Sequence, residues 1–420
     1  MRDSTRMLSA LKYPQYRRYW LGNLAAVSGQ QMLILAQGWL VYELTESPLY
    51  LGYAGLMTAL PAILLNLVGG VLADRIDQRK VIVSTQLVMA SSIACLATLT
   101  ALDLVQVWHV LAVAFISGAT QAFNNPARQA IFPQLLDRKD LMNAVSLNSI
   151  VWQVTRIFAP AIGGVIAGTA GLAVTFYICT GFSLALAFSV AGLKVQQVAR
   201  QRQASMGRDL VEGLSFIREN FLFAFLIGMS FFNSFFGSAS QQLAPIFARD
   251  ILDVGVSGLG FMFSMSGVGS ILGLIALGFI GDYEHKGRLL VAGATGFGAT
   301  LVLFAVSESY PVSVAAFFLM GAVGSVYMIT LQTALQLRVP DELRGRVMGV
   351  YGMTYNVGPL GSLQAGAIAA AFGAPAAVAL GGILIMSFAL VVAVVNREVR
   401  DMQTVVAAEG GGPGRVAGWA

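Results

Sequence analysis

Long apolar runs without any Asp, Glu, Lys or Arg alternate along this chain with short charged segments. In the first half the runs cover 19–42, 47–73, 81–102 and 104–127, then 141–168, interrupted only by Arg156, then 171–193. In the second half they cover 220–248, 254–281, 289–307 and 309–337. A last run, 347–396, is too long for one helix, and Phe372-Gly373-Ala374-Pro375 divides it, because Gly and Pro mark turns. About 20 apolar residues in a helix cross the roughly 30 Å of bilayer hydrocarbon. The pattern predicts an all-α membrane protein with twelve transmembrane helices, since lipid supplies no water to satisfy unpaired backbone groups. The longest polar loop, 194–219, divides the spans six and six. The expected organisation is an N-terminal six-helix bundle over 1–193, a cytoplasmic linker over 194–219, a C-terminal six-helix bundle over 220–398 and a disordered cytoplasmic tail over 399–420.

Composition agrees with this picture. Hydrophobic residues make up 56% of the chain and charged residues 11%, with a mean hydropathy of +0.72, whereas a soluble domain is about 45–50% apolar and about 25% charged. Placing the N-terminus inside puts every one of the 26 Lys and Arg on the cytoplasmic side except Arg249, outside, and Arg156, within a span. The net charge of +5 therefore reports topology and gives no reason to expect nucleic acid. The first residues carry no apolar core followed by a cleavage site, so the first span is expected to stay as an anchor. Cys95 and Cys179 fall in mid-membrane runs, and His109 and His285 are isolated near span ends, which predicts no disulfide framework and no metal site. No G-x-x-x-x-G-K-[ST] loop is present, so ATP is not the expected fuel, and no cofactor is implied.

The scarce charge is concentrated in GGVLADRIDQRKVI (69–82), where Asp74, Arg75, Asp77, Arg79 and Lys80 fall between spans two and three. A second loop, LGFIGDYEHKGR (277–288), lines up with it at constant offset: Gly70 meets Gly278, Asp74 meets Asp282, and Lys80 meets Arg288. QLLDRKDLMNAV (134–145) and QLRVPDELRGRV (336–347) match more loosely. Parallel repeats of six spans mark one transporter architecture, with a central path between the halves. The chain resembles the major facilitator superfamily over nearly its whole length, through Gly70, Leu72, Ala73, Asp74, Arg75, Arg79 and Lys80. Asp77 stands where the usual motif has Gly. With YELTESPLYLG (42–52), FNNPARQAIFPQLL (123–136) and RIFAPAIGGVIAG (156–168), it is similar to the branch of macrolide efflux proteins and enterobactin-type siderophore exporters. The resemblance implies two six-helix bundles related by a pseudo-twofold axis. It also implies that Asp74 meets the N-terminus of span eleven, near Leu343, as a latch on the inside-closed state. Helix N-termini favour such a carboxylate.

Polar side chains within spans face the protein interior. Asn23, Gln30 and Gln37 recur every seven residues in span one and form one stripe. Span five carries Asn148, Trp152, Thr155 and Arg156; span seven carries Asn233, Gly237 and Gln241 at i, i+4, i+8; span ten carries Tyr327; span eleven carries Tyr351, Thr354, Tyr355 and Ser362. Together they suggest a substrate path suited to amphipathic solutes, although each amide alone could simply bond a neighbouring helix. Arg156 either attracts an anionic substrate or links helices. Pro160, Gly163, Gly164 and Gly168 allow a bent helix and close packing, and resemble the family's Gly-Pro stretch associated with antiporters, with Ala159 in place of one Gly. Glu43 is the nearest candidate proton carrier, or else a helix-end charge.

The expected function is secondary export of small amphipathic molecules (drugs, siderophores or other metabolites) from the inner membrane, with both termini cytoplasmic. Protons as the coupling ion are implied by the resemblance alone, and a monomer in the lipid bilayer is expected. An uptake permease is the alternative within transport. A receptor or scaffold is another class, disfavoured by the motif's presence in both halves, and a membrane enzyme is disfavoured because no Ser/His/Asp or metal constellation lies in the spans.

Overall fold

A computed structural model describes residues 9–193, 214–281, 285–356 and 358–395, with backbone alone over 66–75, 341–342, 355–356 and 359. The helices in chain order are α1 (Pro14–Thr45), α2 (Pro48–Arg75), α3 (Gln78–Ala101), α4 (Val107–Ile131), α5 (Leu141–Ala170) and α6 (Leu172–Ala191). Then come α7 (Phe221–Ile246), α8 (Gly255–Ile280), α9 (Lys286–Ala305), α10 (Tyr310–Arg338), α11 (Asp341–Asn356), α12 (Gly358–Phe372) and α13 (Ala374–Val395). Ten of them are long and apolar enough to span a membrane. The more polar α4, and α11 with α12 on either side of residue 357, account for the other two passes of the twelve-helix fold.

Start and stop signals follow local chemistry. Pro14 occupies the first turn of α1, where its missing N–H costs nothing. Asp77 caps α3, accepting the Arg79 backbone N–H at 2.9 Å. Gly373, at φ +90°, makes the tight turn between α12 and α13 that its sequence context predicts. Residue 357, between α11 and α12, lies outside the described residues.

Packing repeats between the halves. In the first, α2 packs on α4, α3 on α6 and α1 on α6; in the second, α8 packs on α10, α9 on α13 and α7 on α13. The halves meet along two seams, α5 with α8 and α2 with α12. Both seams are built from glycine. A Cβ at Gly164 would lie 2.8 Å from the Val256 carbonyl and 3.0 Å from the Gly260 Cα. A Cβ at Gly366 would lie 2.7 Å from the Pro48 carbonyl and 3.0 Å from the Gly52 Cα. Pro48 and Gly52 correspond to Val256 and Gly260 by the same 208-residue offset that pairs the charged loops. Gly164 and Gly366 correspond by the offset of the loops 134–145 and 336–347. The two seams are one contact used twice, as a pseudo-twofold axis requires.

The core is asymmetric from end to end. Near Tyr42 and Leu243, one continuous apolar cluster takes residues from both halves. At the opposite end each half has its own cluster, around Tyr16 and Leu147 in the first and around Tyr327 and Val350 in the second. Among the described residues the halves therefore share one core at one end, here the clasped end, and keep separate cores at the other.

Candidate functional site: a clasped end and a central cavity

Pro245 interrupts the hydrogen-bond ladder of α7, and a wide π-turn follows at Phe247–Ile251. This turn brings Arg249 and Asp250 against the end of α1. Arg249 pairs with Glu46 at 2.8 Å, donates to the Tyr42 carbonyl at 3.4 Å and lies over the Tyr42 ring at 5.6 Å. The Tyr42 hydroxyl donates to Asp250, and Gln242 donates to the Leu51 carbonyl. All of these bonds cross between the halves. Glu46 is largely exposed, so its ion pair is worth only about 0–1 kcal/mol, and the continuous core beneath does most of the closing.

Below the clasp lies a cavity in two lobes of about 360 Å³ and 410 Å³. Arg156, Ser238, Gln241 and Gly358 line both lobes. Gln31, Gln37 and Gln242 add amides to the first lobe, and Gln153, Asn233, Phe297 and Phe317 line the second. The Gln37 amide nitrogen and the Asn233 amide oxygen are buried without a hydrogen-bond partner. Lobes of this size, mostly apolar with a few converging polar groups, suit small organic molecules.

Of the residues suggested as a path, Gln37, Arg156, Asn233, Gly237, Gln241 and Ser362 line this space. Several others lie elsewhere. Asn23, 1% exposed, donates to Asn148 at 3.0 Å, and Gln30 donates to Gln121 at 3.0 Å; both bonds stay within the first half. Trp152 is exposed, and Tyr327 and Tyr351 are buried in the second half's core. The Tyr355 side chain lies outside the described residues. Gly163 packs on Met32 of α1, and Gly168 receives Ser257 of α8, whose hydroxyl donates to the Gly164 carbonyl at 3.1 Å. The Pro160 carbonyl approaches Gly260. Glu43 is exposed at the clasped end.

Of the charged-loop residues, Asp282, the surroundings of Gly70 and the side chains of Asp74 and Arg75 lie outside the described residues. Asp77 and Arg79 form an ion pair at 2.7 Å, and Arg79 also donates to the Leu193 carbonyl at 2.6 Å, tying the loop to the end of α6 in its own half. The hydrogen bond from Arg79 holds the Asp77 carboxyl below the usual aspartate range. Lys80 is exposed, and Arg288 lies in the first turn of α9. Gly278 is exposed, and a Cβ there would meet nothing within 4 Å. The clasp residues Tyr42, Glu46, Gln242, Arg249 and Asp250 are absent from the sequence-based set. Two signals pointed to them: Arg249 is the one basic residue assigned outside, and Gln30-Gln31 and Gln241-Gln242 double the amide in the first helix of each half.

Residues 5–409 match the sequence profile described as transmembrane secretion effector. The chain belongs to that family. It is 24% identical over 396 residues to macrolide efflux protein A of Streptococcus pyogenes, covering 91% of this chain and 96% of that one. To the enterobactin exporter EntS of Shigella boydii serotype 18 it is 23% identical over 348 residues, covering 82% of each. Its fold is shared with a bacterial homologue of the human lysosomal transporter Spinster, solved inward-facing and unoccupied, at a TM-score of 0.72 and 13% identity over 92% of this chain and 96% of that one. The protein is thus a multi-pass membrane transporter of small molecules with the major facilitator fold, and not an enzyme, as the resemblance implied.

Proposed function

We propose that this family member is a secondary active exporter that moves small amphipathic solutes out of the cytoplasm by alternating access. The observation that carries the reading is the end-to-end asymmetry: a mostly apolar cavity with a few polar groups, bridged by cross-half contacts at the Tyr42–Asp250 end, with separate cores for the two halves at the other among the described residues. With Lys and Arg on the cytoplasmic side, the clasped end faces outward and the other end receives solute from the cytoplasm. The chain then sits in the inner (plasma) membrane as a monomer with both termini cytoplasmic, arranged as two bundles, 1–193 and 220–398, joined by 194–219.

Export then requires the opposite arrangement, with the clasp broken and the Asp74 loop closed on α11. Basic residues of that loop, with Asp282 and Arg288 in the matching loop, complete the inner closure. The drive is a proton antiport acting on carboxylates at the clasped end. Glu43 is one candidate, and Asp250 is the other, because protonating it weakens its bond to Tyr42. The exporters named among its relatives support the direction of transport.

The test is efflux of dyes and antimicrobials from energised cells with and without the protein, repeated with an uncoupler. Uncoupler-sensitive efflux that disappears with the gene is expected. Accumulation driven by the protein would replace export by uptake, and efflux indifferent to the uncoupler would remove the proton.

A further inference from the structure

Arg156 is the only charged residue within the spans as the apolar runs define them. Its guanidinium stays protonated at any physiological pH. It borders both cavity lobes, and neither lining contains an Asp or Glu. Among the described residues no hydrogen bond or ion pair holds its side chain, and the backbone does no better: its own carbonyl faces the close approach of Gly267 on α8. An uncompensated cation at this depth is costly unless an anion or water meets it. The first lobe adds a second unsatisfied donor, the buried Gln37 amide nitrogen. Two donors without a protein acceptor ask for lone pairs from the ligand. The second lobe shows the complementary need. The buried Asn233 amide oxygen lacks a donor, and Phe297 and Phe317 offer apolar walls beside it.

We propose that the central cavity is an organic-anion site, in which Arg156 with Gln37 receives the oxyanion end of an amphipathic solute while Asn233 accepts a hydrogen bond from its far end. This rests on the transport reading and assigns its substrate class: an aromatic or otherwise apolar body carrying a carboxylate or comparable oxyanion, and a hydroxyl or N–H donor at the other end. An anionic lipid headgroup offers the same oxyanion, and the experiment separates the two sources.

The test uses the full chain in phosphatidylcholine nanodiscs with Cys95→Ser and Ser238→Cys. Ser238 lines both lobes, and the remaining Cys179 is fully buried. Rates of modification by sulfonatoethyl methanethiosulfonate and by its trimethylammonium counterpart are measured with Arg156, Arg156→Lys and Arg156→Gln. A single buried-cleft charge is expected to favour the anionic reagent by roughly tenfold. That preference should persist with Lys and vanish with Gln. 1-Naphthoate, and not 1-naphthylmethylammonium, should slow modification when Arg156 is present, a readout that survives even if the Gln variant fails to fold. An unchanged reagent ratio in a folded Arg156→Gln protein, or no protection by naphthoate, overturns the site. Protection by added phosphatidylglycerol but not by naphthoate overturns the solute in favour of a lipid headgroup. These rates need no transport, so their failure removes the anion site alone, whereas an intact charge preference without energised efflux removes the exporter alone.

Discussion

The hydroxyl of Tyr42 donates a hydrogen bond to the carboxylate of Asp250, and the two residues stand 208 positions apart, the offset that also aligns Lys80 with Arg288. Residues equivalent by a repeat touch each other only where the pseudo-twofold axis passes between them. The bond therefore marks the axis at the clasped end, and it must break whenever the halves rock apart there. Hydrogen bonds to charged groups contribute about 1.5–3 kcal/mol. Tyr42→Phe should shift the balance between the two states roughly tenfold or more toward opening at this end. Spin labels at Leu104 and Glu308, exposed in the two halves near the clasp, should report a larger long-distance population. An unchanged distance distribution would show that the bond does not contribute to closure.

The glycine seams make a sharper prediction because they occur twice. Gly164→Leu and Gly366→Leu each force a side chain into a backbone of the other half, where ideal Cβ atoms already lie within 3.0 Å of it. Overpacking costs about 1–3 kcal/mol, and both changes should hold the clasped end open to similar degrees. Gly349→Leu is the control. A Cβ at Gly349 on α11 meets nothing within 4 Å, so this change should leave the present arrangement intact and obstruct the opposite one. The same pair of spin labels separates the cases. A wide distance with Gly349→Leu, or a narrow one with either seam variant, would contradict rocking about these seams.

Much of this was legible in the sequence. A span in lipid must be apolar along its length, so charge-free runs find helices, and equal halves leave equal loops. Stripes are a poorer guide. Seven-residue spacing puts Asn23, Gln30 and Gln37 on one face of α1, but the stripe crosses three neighbours. Asn23 meets Asn148, Gln30 meets Gln121, and only Gln37 reaches the cavity. The clasp was least legible, because Tyr42, Glu46, Arg249 and Asp250 look like ordinary helix-end residues until the π-turn after Pro245 sets them facing each other.

Asp74 and Asp77 share a loop and should behave differently. Asp77 caps α3 and holds Arg79 within one half, so Asp77→Asn should cost about 1 kcal/mol of stability and leave part of the transport rate. If Asp74 latches onto α11, Asp74→Asn should abolish transport while the amount of folded protein in the membrane stays at the level of the unaltered chain. Efflux normalised to purified monodisperse protein measures both. Full transport by Asp74→Asn would end its role as the inner latch.

The start of the chain carries a pH-dependent tether. Ser9 donates to Asp140 at 2.6 Å and Tyr13 donates to the same carboxylate at 2.9 Å, while Asn143 donates to Ser9 at 2.6 Å, fastening the segment before α1 to the start of α5. The Ser9 bond, followed by that of Tyr13, holds the Asp140 carboxyl below the usual aspartate range. Loss of contact with water, with the nearby carboxylates Asp137 and Asp140, pushes the Tyr13 phenol up to about 12. A carboxyl with a lowered folded-state pKa contributes stability that is fully present above its unfolded value of about 3.9 and fades as the pH falls through the lower folded value. For a phenol raised in the folded state the contribution is present below its unfolded value of about 10 and fades toward pH 12. The tether should therefore be insensitive to pH between about 5 and 9. Asp140→Asn should lower the melting temperature across that window, and the difference from the unaltered protein should begin to shrink below about pH 4 and go on shrinking as the pH falls through the lowered folded value, where the carboxyl takes up its proton. Thermal unfolding in detergent at pH 7 and pH 3.5 checks it, and a difference that grew on acidification would reverse the sign of the argument.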